Sequence, residues 1–191
     1  MKLSNGKCRA FLASFISNVV NHKRNCTPLN QFLQCLNLQV IKIAQRKGIK
    51  IMVAPNFSLK VMDSHEERSL EDFQGQALLI TFWVSWCPDC QRDLTNKQKL
   101  YQSMQTNDLE MLMIHVPGRE SNEEAGKKYY DENEFTFPVV VDEDTKMYDK
   151  YQCMSVPTTF LLNKEHEIVG RFNDKASFQQ MVAEIGNVLS Q

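Results

Sequence analysis

Residues 77–90 read ALLITFWVSWCPDC, and this stretch decides the fold. Its first eight residues, 77–84, form an almost uninterrupted apolar run, which is typical of a strand buried on both faces of a sheet. Pro88 and the polar residues 89–104 predict a helix, because proline fits the first helical position. The sequence therefore predicts a central strand that leads into a helix through two cysteines.

The segment Cys87-Pro88-Asp89-Cys90 predicts redox chemistry. At a helix start, unsatisfied backbone N–H groups and the helix dipole stabilise a thiolate, so Cys87 is the predicted nucleophile. Cys90 lies one helical turn later and is the predicted resolving thiol, which attacks the mixed disulfide formed at Cys87. The charge of Asp89 disfavours a thiolate at Cys87, whereas the helix start favours both anions. The sequence thus leaves the redox potential of the pair open.

The remainder of the chain after residue 53 alternates predicted strands and helices. The predicted elements are an edge strand in 54–61, a capped turn at 69–73, strands at 109–116 and 137–142, helices at 123–133 and 144–151, a hairpin of 158–162 and 167–172, and a closing helix at 177–189. This order predicts an α/β fold in which a central mixed β-sheet carries helices on both faces. Residues 1–52 are predicted to form a mainly helical N-terminal appendage. Residues 53–191 are predicted to form the α/β domain that follows it.

Composition disfavours several classes of partner and site. The 22 basic and 23 acidic side chains give a net charge of -1, so neither nucleic acid nor an anionic membrane is an expected main partner. Six cysteines in 191 residues are too few for a disulfide-stapled scaffold. A zinc site needs a second pair of ligands at comparable spacing. The histidines are scattered (His22, His65, His115 and His166), so we expect no metal.

The N-terminal segment weakly imitates an export signal. Lys2, Lys7 and Arg9 precede the apolar residues 10–20, but no clean cleavage site follows them. The chain contains no run of the roughly 18 to 20 apolar residues that a spanning helix needs. Residues 1–22 are therefore interpreted as a possible leader, weak signal or anchor, with an amphipathic leader as the alternative. Whether the cysteines of the appendage (Cys8, Cys26 and Cys35) are free or paired stays open.

Residues 82–90, FWVSWCPDC, resemble the active-site strand and helix start of the thioredoxin superfamily. More narrowly, residues 54–189 resemble the thiol-disulfide oxidoreductases of the TlpA/ResA type, which are membrane-associated bacterial reductases. Matching segments are APNF at 54–57, FPVV at 137–140 and VPTTFL at 156–161. The resemblance implies a thioredoxin fold.

The same resemblance implies an enzyme that reduces protein disulfides by dithiol/disulfide exchange, with electrons supplied by a separate thiol donor. It implies no metal, nucleotide or flavin cofactor. The implied substrate is a protein disulfide outside the cytoplasm, such as the cysteine pair of an apocytochrome in cytochrome c biogenesis. We expect a monomer, which would be cytoplasmic if the N-terminus is not a signal.

The resemblance also implies roles around the two sulfurs. In the family the Val-Pro-Thr proline is cis and abuts the active-site sulfurs, so Pro157 is expected to be cis. Val156 is then expected to offer backbone groups to a substrate strand. Trp86 and Pro88, on either side of Cys87, are the other expected substrate-binding residues.

A proton relay for Cys90 is harder to assign. Thioredoxins proper keep a buried acid six residues before the first cysteine, whereas this chain has Thr81 at that position. ResA-like proteins lack that acid and carry a glutamate just after the following strand, which makes Glu120 the candidate relay. A solvated loop carboxylate is the alternative for Glu120.

Two other functions and one further cysteine stay open. A peroxidase of the peroxiredoxin kind would carry a threonine three residues before its reactive cysteine, where this chain has Val84. A non-catalytic binding module with a thioredoxin fold is a second alternative, against which the intact cysteine pair argues. Cys153 could approach the active site, although a lone cysteine is more often a small buried apolar residue.

Overall fold

The computed structural model describes residues 52–190. Their strands are β1 (Ser58–Val61), β2 (Glu67–Ser69), β3 (Ala77–Trp83), β4 (Leu109–His115), β5 (Val139–Val141), β6 (Thr158–Leu162) and β7 (Ile168–Phe172). Their helices are α1 (Pro88–Ser103), α2 (Ala125–Glu132), α3 (Lys146–Lys150) and α4 (Phe178–Leu189), with 3-10 turns at Leu70–Phe73 and Pro117–Arg119. The predicted appendage, with Cys8, Cys26 and Cys35, lies outside the described residues apart from Met52. Its division from the domain stays a prediction.

The strands form one mixed sheet in the order β2-β1-β5-β4-β3-β6-β7. β3 pairs with β4 in parallel and with β6 antiparallel. Every residue of β3 is buried, which requires that both faces of the sheet are covered at its centre. The predicted α/β class and the predicted central strand are therefore confirmed.

The predicted edge strand at residues 54–61 is wrong in its position. The strand itself begins only at Ser58, and β2 pairs antiparallel with it on its outer side. β2 therefore forms this edge of the sheet, and β1 lies one place further in. β2 was not predicted because it is three residues long and polar, although charged side chains suit an edge strand.

An aromatic cluster fixes the end of β3 that leads to the cysteines. The ring of Phe82, which is fully buried, lies 6.2 Å from that of Tyr148, 5.3 Å from that of Tyr151 and 6.1 Å from that of Phe160, measured between centroids. Tyr148 belongs to α3, Tyr151 is its C-cap residue and Phe160 lies in β6. The cluster therefore packs α3 against the sheet where β3 approaches the active site.

Candidate active site

The first predicted sulfur lies at the start of α1. Cys87 is the N-cap residue, and the Cys90 backbone N–H donates a hydrogen bond to Cys87 Sγ at 3.5 Å. The Cys87 residue is 7% exposed, while Cys90 is fully buried, and both are free thiols. The structure thus brings the two sulfurs together at one helix start, with Cys87 as the accessible one.

The buried sulfur is held in its neutral form. Burial raises the pKa of the Cys90 thiol, against a hydrogen bond from the Val84 backbone that lowers it. Cys90 therefore carries its proton at neutral pH, and must lose it before it can attack a disulfide.

The loop before β6 lies next to Cys87. The Val156–Pro157 peptide bond is cis, and the Cys87 thiol donates to the Val156 carbonyl oxygen at 3.5 Å. Because β6 pairs directly with β3, the sheet itself holds this loop beside the cysteine. The cis bond at Pro157 and the contact of Val156 with Cys87 are observed, whereas the roles expected of these two residues stay predictions.

Exposed apolar side chains border the accessible cysteine. Trp86 is 55% exposed, and its indole N–H donates to the Arg119 carbonyl oxygen at 2.8 Å, which fixes the ring. Pro88 is exposed at the first position of α1. Met154, two residues before Val156, is 86% exposed and was not singled out from the sequence. Trp86 and Pro88 thus place exposed apolar side chains on either side of Cys87 in sequence.

Glu120 contacts the loop that precedes Cys87. Its carboxylate, only 1% exposed, accepts hydrogen bonds from the Ser85 backbone N–H at 2.5 Å and from the Ser85 hydroxyl at 2.9 Å. The same carboxylate lies 3.1 Å from His115 Nε2. Burial lowers the pKa of His115, although its hydrogen bond with Glu120 opposes that shift. The Glu120 carboxylate therefore contacts both His115 and Ser85. Of these two, Ser85 lies two residues before the nucleophile Cys87 in sequence.

The ring of His115 fits only because α2 carries glycine at residue 126. A Cβ atom at Gly126 would lie 2.1 Å from His115 Nε2. Gly126 is the second residue of α2, and this close approach leaves no room there for a larger side chain.

We expect Gly126→Ala to lower the free energy of unfolding by about 1 to 3 kcal/mol, because the methyl group displaces His115. The matched control is Gly186→Ala in α4, where a Cβ would meet nothing within 4 Å. That change should raise the free energy of unfolding by about 0.5 to 1 kcal/mol. Urea denaturation measures both, and equal stabilisation by the two substitutions would contradict the packing of His115.

A buried polar network behind Cys90 was missed from the sequence. The Thr81 hydroxyl lies 3.1 Å from that of Thr159, and Lys97 Nζ donates to Thr159 Oγ1 at 2.7 Å. Lys97 is fully buried and forms an ion pair with Asp93. Lys97 lies among the polar residues that predicted the helix and was not singled out from the sequence. The sequence signal for its burial was its spacing from Leu94. Residues three apart share a helix face, and Leu94 is on the buried face of α1.

The remaining predicted features lie around this centre. Asp89 pairs with Arg92 on the exposed side of α1. Cys153 is buried, and burial raises the pKa of its thiol to about 12.

Within residues 52–190 the structure shows no group of three or more His, Cys, Asp or Glu side chains placed to hold a metal ion. In the same range no helix is both long and apolar enough to cross a membrane.

Several known proteins are similar to this chain in sequence or in structure. Sporulation thiol-disulfide oxidoreductase A of Bacillus subtilis is 30% identical over 141 residues, which cover 74% of this chain and 81% of that protein. Thiol-disulfide oxidoreductase ResA of Geobacillus kaustophilus is 31% identical over 115 residues, covering 60% of this chain and 64% of that protein. The crystal structure of StoA from Bacillus subtilis matches with a TM-score of 0.60 and 27% identity, over 68% of this chain and 95% of that chain.

The fold and the family follow from further matches. A crystal structure of a thioredoxin-like superfamily protein matches with a TM-score of 0.67 at 21% identity, over 73% of this chain and 97% of that chain, which shows the fold. Residues 52–171 match the family model described as the AhpC/TSA family. The chain therefore belongs to the AhpC/TSA family and is a thiol-disulfide oxidoreductase with a thioredoxin fold.

Proposed function

We propose that this enzyme reduces disulfide bonds of other proteins, with Cys87 as the nucleophile and Cys90 as the resolving thiol. The observation that carries the proposal is the unequal exposure of the two sulfurs. Cys87 lies at the helix start with part of its surface accessible, whereas Cys90 is fully buried. A substrate disulfide can therefore reach Cys87 first.

The proposed reaction has two exchange steps. The Cys87 thiolate attacks one sulfur of the substrate disulfide, the substrate S–S bond breaks, and the second substrate sulfur leaves and takes up a proton. Cys90 then loses its proton and attacks Cys87 Sγ in the mixed disulfide. A Cys87–Cys90 disulfide forms, and the substrate leaves as a dithiol. A separate thiol donor returns two electrons to the pair and completes the cycle.

A protein substrate suits the surroundings of Cys87. The Val156 carbonyl lies beside Cys87 Sγ, where the backbone of an extended substrate segment can donate to it. Trp86 and Met154 are exposed and offer apolar contact surface. We propose that these residues, with Pro88 and the cis Pro157, bind the substrate chain around its disulfide.

We further propose that Glu120 positions Cys87 through Ser85 instead of carrying protons to Cys90. Its carboxylate is occupied by the two hydrogen bonds from Ser85 and by His115. A buried carboxylate with these partners stabilises the loop that presents the nucleophile.

The reduction potential of the Cys87/Cys90 couple tests the direction of electron flow. We expect equilibration of the full chain with dithiothreitol or glutathione buffers to give a value near or below about -250 mV, the range of a protein-disulfide reductase. A value near about -120 mV would instead make the enzyme a disulfide donor. A Cys153→Ala variant serves as the control and should show the same potential, since burial keeps that thiol protonated.

The alternatives receive less support. A peroxidase of the kind considered above would place a hydroxyl at residue 84, where the buried Val84 offers only an apolar side chain. A non-catalytic binding module would not need the two sulfurs adjacent at a helix start.

By its likeness to membrane-associated reductases we propose that the enzyme acts outside the cytoplasm. Protection of Cys87 from a membrane-impermeant alkylating reagent in intact cells would count against that location.

A further inference from the structure

Lys97 is a fully buried lysine in the middle of α1. Burying an ammonium group is costly unless it is paired and hydrogen-bonded. Lys97 Nζ meets both conditions, since it forms an ion pair with Asp93 and donates to Thr159 Oγ1 at 2.7 Å. An apolar side chain would fill this helix position without that cost, so the buried amine calls for a chemical explanation.

The buried amine lies on the same side of α1 as the resolving cysteine. Asp93 follows Cys90 by three residues and Lys97 follows it by seven, so the three side chains share one helix face. Cys90 and Lys97 are both fully buried. Burial lowers the pKa of Lys97, and the charges of Asp93 and of a Cys90 thiolate raise it. Lys97 and the Cys90 thiolate thus stabilise each other's charged form.

A polar cavity connects this network with solvent. Asp93 and Thr159 line a cavity of about 140 Å³ beside Pro157, which is large enough for several water molecules. The Asp93 side chain is 22% exposed, so its carboxylate is accessible to solvent.

Few other charges face this network. The paired Asp89 and Arg92 line the same cavity from α1, and Asp174 lines it from the loop between β7 and α4. Tyr129 of α2 lies near Cys90, and burial raises the pKa of its hydroxyl. Among residues 52–190, Lys97 is therefore the cation buried together with Cys90, while Arg92 is exposed and engaged by Asp89.

We propose that Lys97 is a positioning residue for the resolving step, whose ammonium stabilises the Cys90 thiolate formed when Cys90 passes its proton to Asp93. This inference rests on the proposed function. The S–H bond of Cys90 breaks, an O–H bond forms on the Asp93 carboxylate, and the negative charge moves to Cys90 while Lys97 keeps its positive charge. Asp93 then gives the proton to water in the cavity, and the Cys90 thiolate attacks Cys87 Sγ. Thr159 holds the ammonium in place.

The two exchange steps can be measured separately with Ellman's reagent in a stopped-flow instrument. The parent protein is the full chain with the four other cysteines replaced by alanine (Cys8, Cys26, Cys35 and Cys153). Attack by Cys87 releases the first thionitrobenzoate, and resolution by Cys90 releases the second. We expect Lys97→Met to slow the second release by about tenfold or more at neutral pH and to raise the midpoint of its pH profile by about one unit. The first release should be unchanged.

Two matched variants separate charge from structure. Lys97→Arg keeps the positive charge and should restore most of the rate of the second release. Lys99→Met removes an exposed lysine two residues away on α1, and should leave both releases unchanged. A second release in Lys97→Met with the rate and pH profile of the parent would overturn the inference. Loss of the first release from the parent would instead contradict the proposed function.

A measurement on the unmodified protein covers the case in which Lys97→Met does not fold. NMR titration of Lys97 Nζ compares the oxidised with the reduced enzyme. We expect Lys97 to lose its proton at a higher pH in the reduced enzyme, because only there can a Cys90 thiolate stabilise the ammonium. The same titration midpoint in both forms would overturn the inference.

Discussion

Replacement of Cys87 by serine is expected to abolish reduction of a protein disulfide, with a fall in rate of at least about a thousandfold. A serine hydroxyl is not ionised at neutral pH, so no nucleophile remains at the helix start. The fold should survive, because serine is close to cysteine in size and the side chain at residue 87 is partly accessible. Insulin reduction in the presence of dithiothreitol measures the rate, and thermal unfolding checks the fold.

Two other cysteine variants make this prediction specific. Cys153→Ala should keep the activity of the unmodified enzyme, since that thiol is buried and burial raises its pKa to about 12. Cys90→Ser should lose turnover but keep the first attack, because the sulfur at residue 87 remains. Substantial insulin reduction by Cys87→Ser would show that another group is the nucleophile.

Replacement of Glu120 by alanine is expected to lower the free energy of unfolding by about 3 kcal/mol. The change leaves the Ser85 backbone N–H, the Ser85 hydroxyl and His115 Nε2 without the acceptor that they share in the interior. Since Ser85 lies two residues before Cys87, the exchange rate should fall as well. Urea denaturation measures the stability, and the exposed Glu123→Ala serves as the control, with an expected change within about 0.5 kcal/mol.

Glu120→Gln distinguishes a positioning carboxylate from a proton relay. Glutamine keeps an oxygen that can accept from Ser85, so most of the exchange rate should remain and its pH profile should not move. A relay requires a group that takes up and releases a proton, which an amide does not do. A large loss of rate in a stable Glu120→Gln variant, with a changed pH profile, would therefore restore the relay assigned from the resemblance.

The sequence predicted those parts of the fold that short segments encode. The apolar run at 77–84 corresponds to β3, and the cysteine pair with Pro88 marks the start of α1. The hairpin of β6 and β7 was also predicted at nearly its observed bounds, because alternation and turn residues are local signals. β2 escaped prediction because three polar residues carry no such signal.

The residues that surround the two sulfurs could not be predicted from short segments, because they are brought together by contacts between residues distant in sequence. Glu120 and Ser85 are 35 residues apart, and the hydrogen bonds between them come from the fold of the whole domain. Lys97 and Thr159 are 62 residues apart, and the hydrogen bond that satisfies the buried amine comes from the fold of the whole domain. The nucleophile could thus be predicted from its motif, whereas the groups that control its partner Cys90 required the structure.

Trapping of a mixed disulfide shows directly whether Cys87 is the nucleophile. The Cys90→Ser enzyme is incubated with a disulfide-containing protein and analysed by mass spectrometry, beside a Cys87→Ser enzyme treated in the same way. We expect a covalent adduct through Cys87 in the first variant and none in the second. An adduct that forms equally in both variants, or through Cys153, would contradict the assignment of Cys87 as the nucleophile.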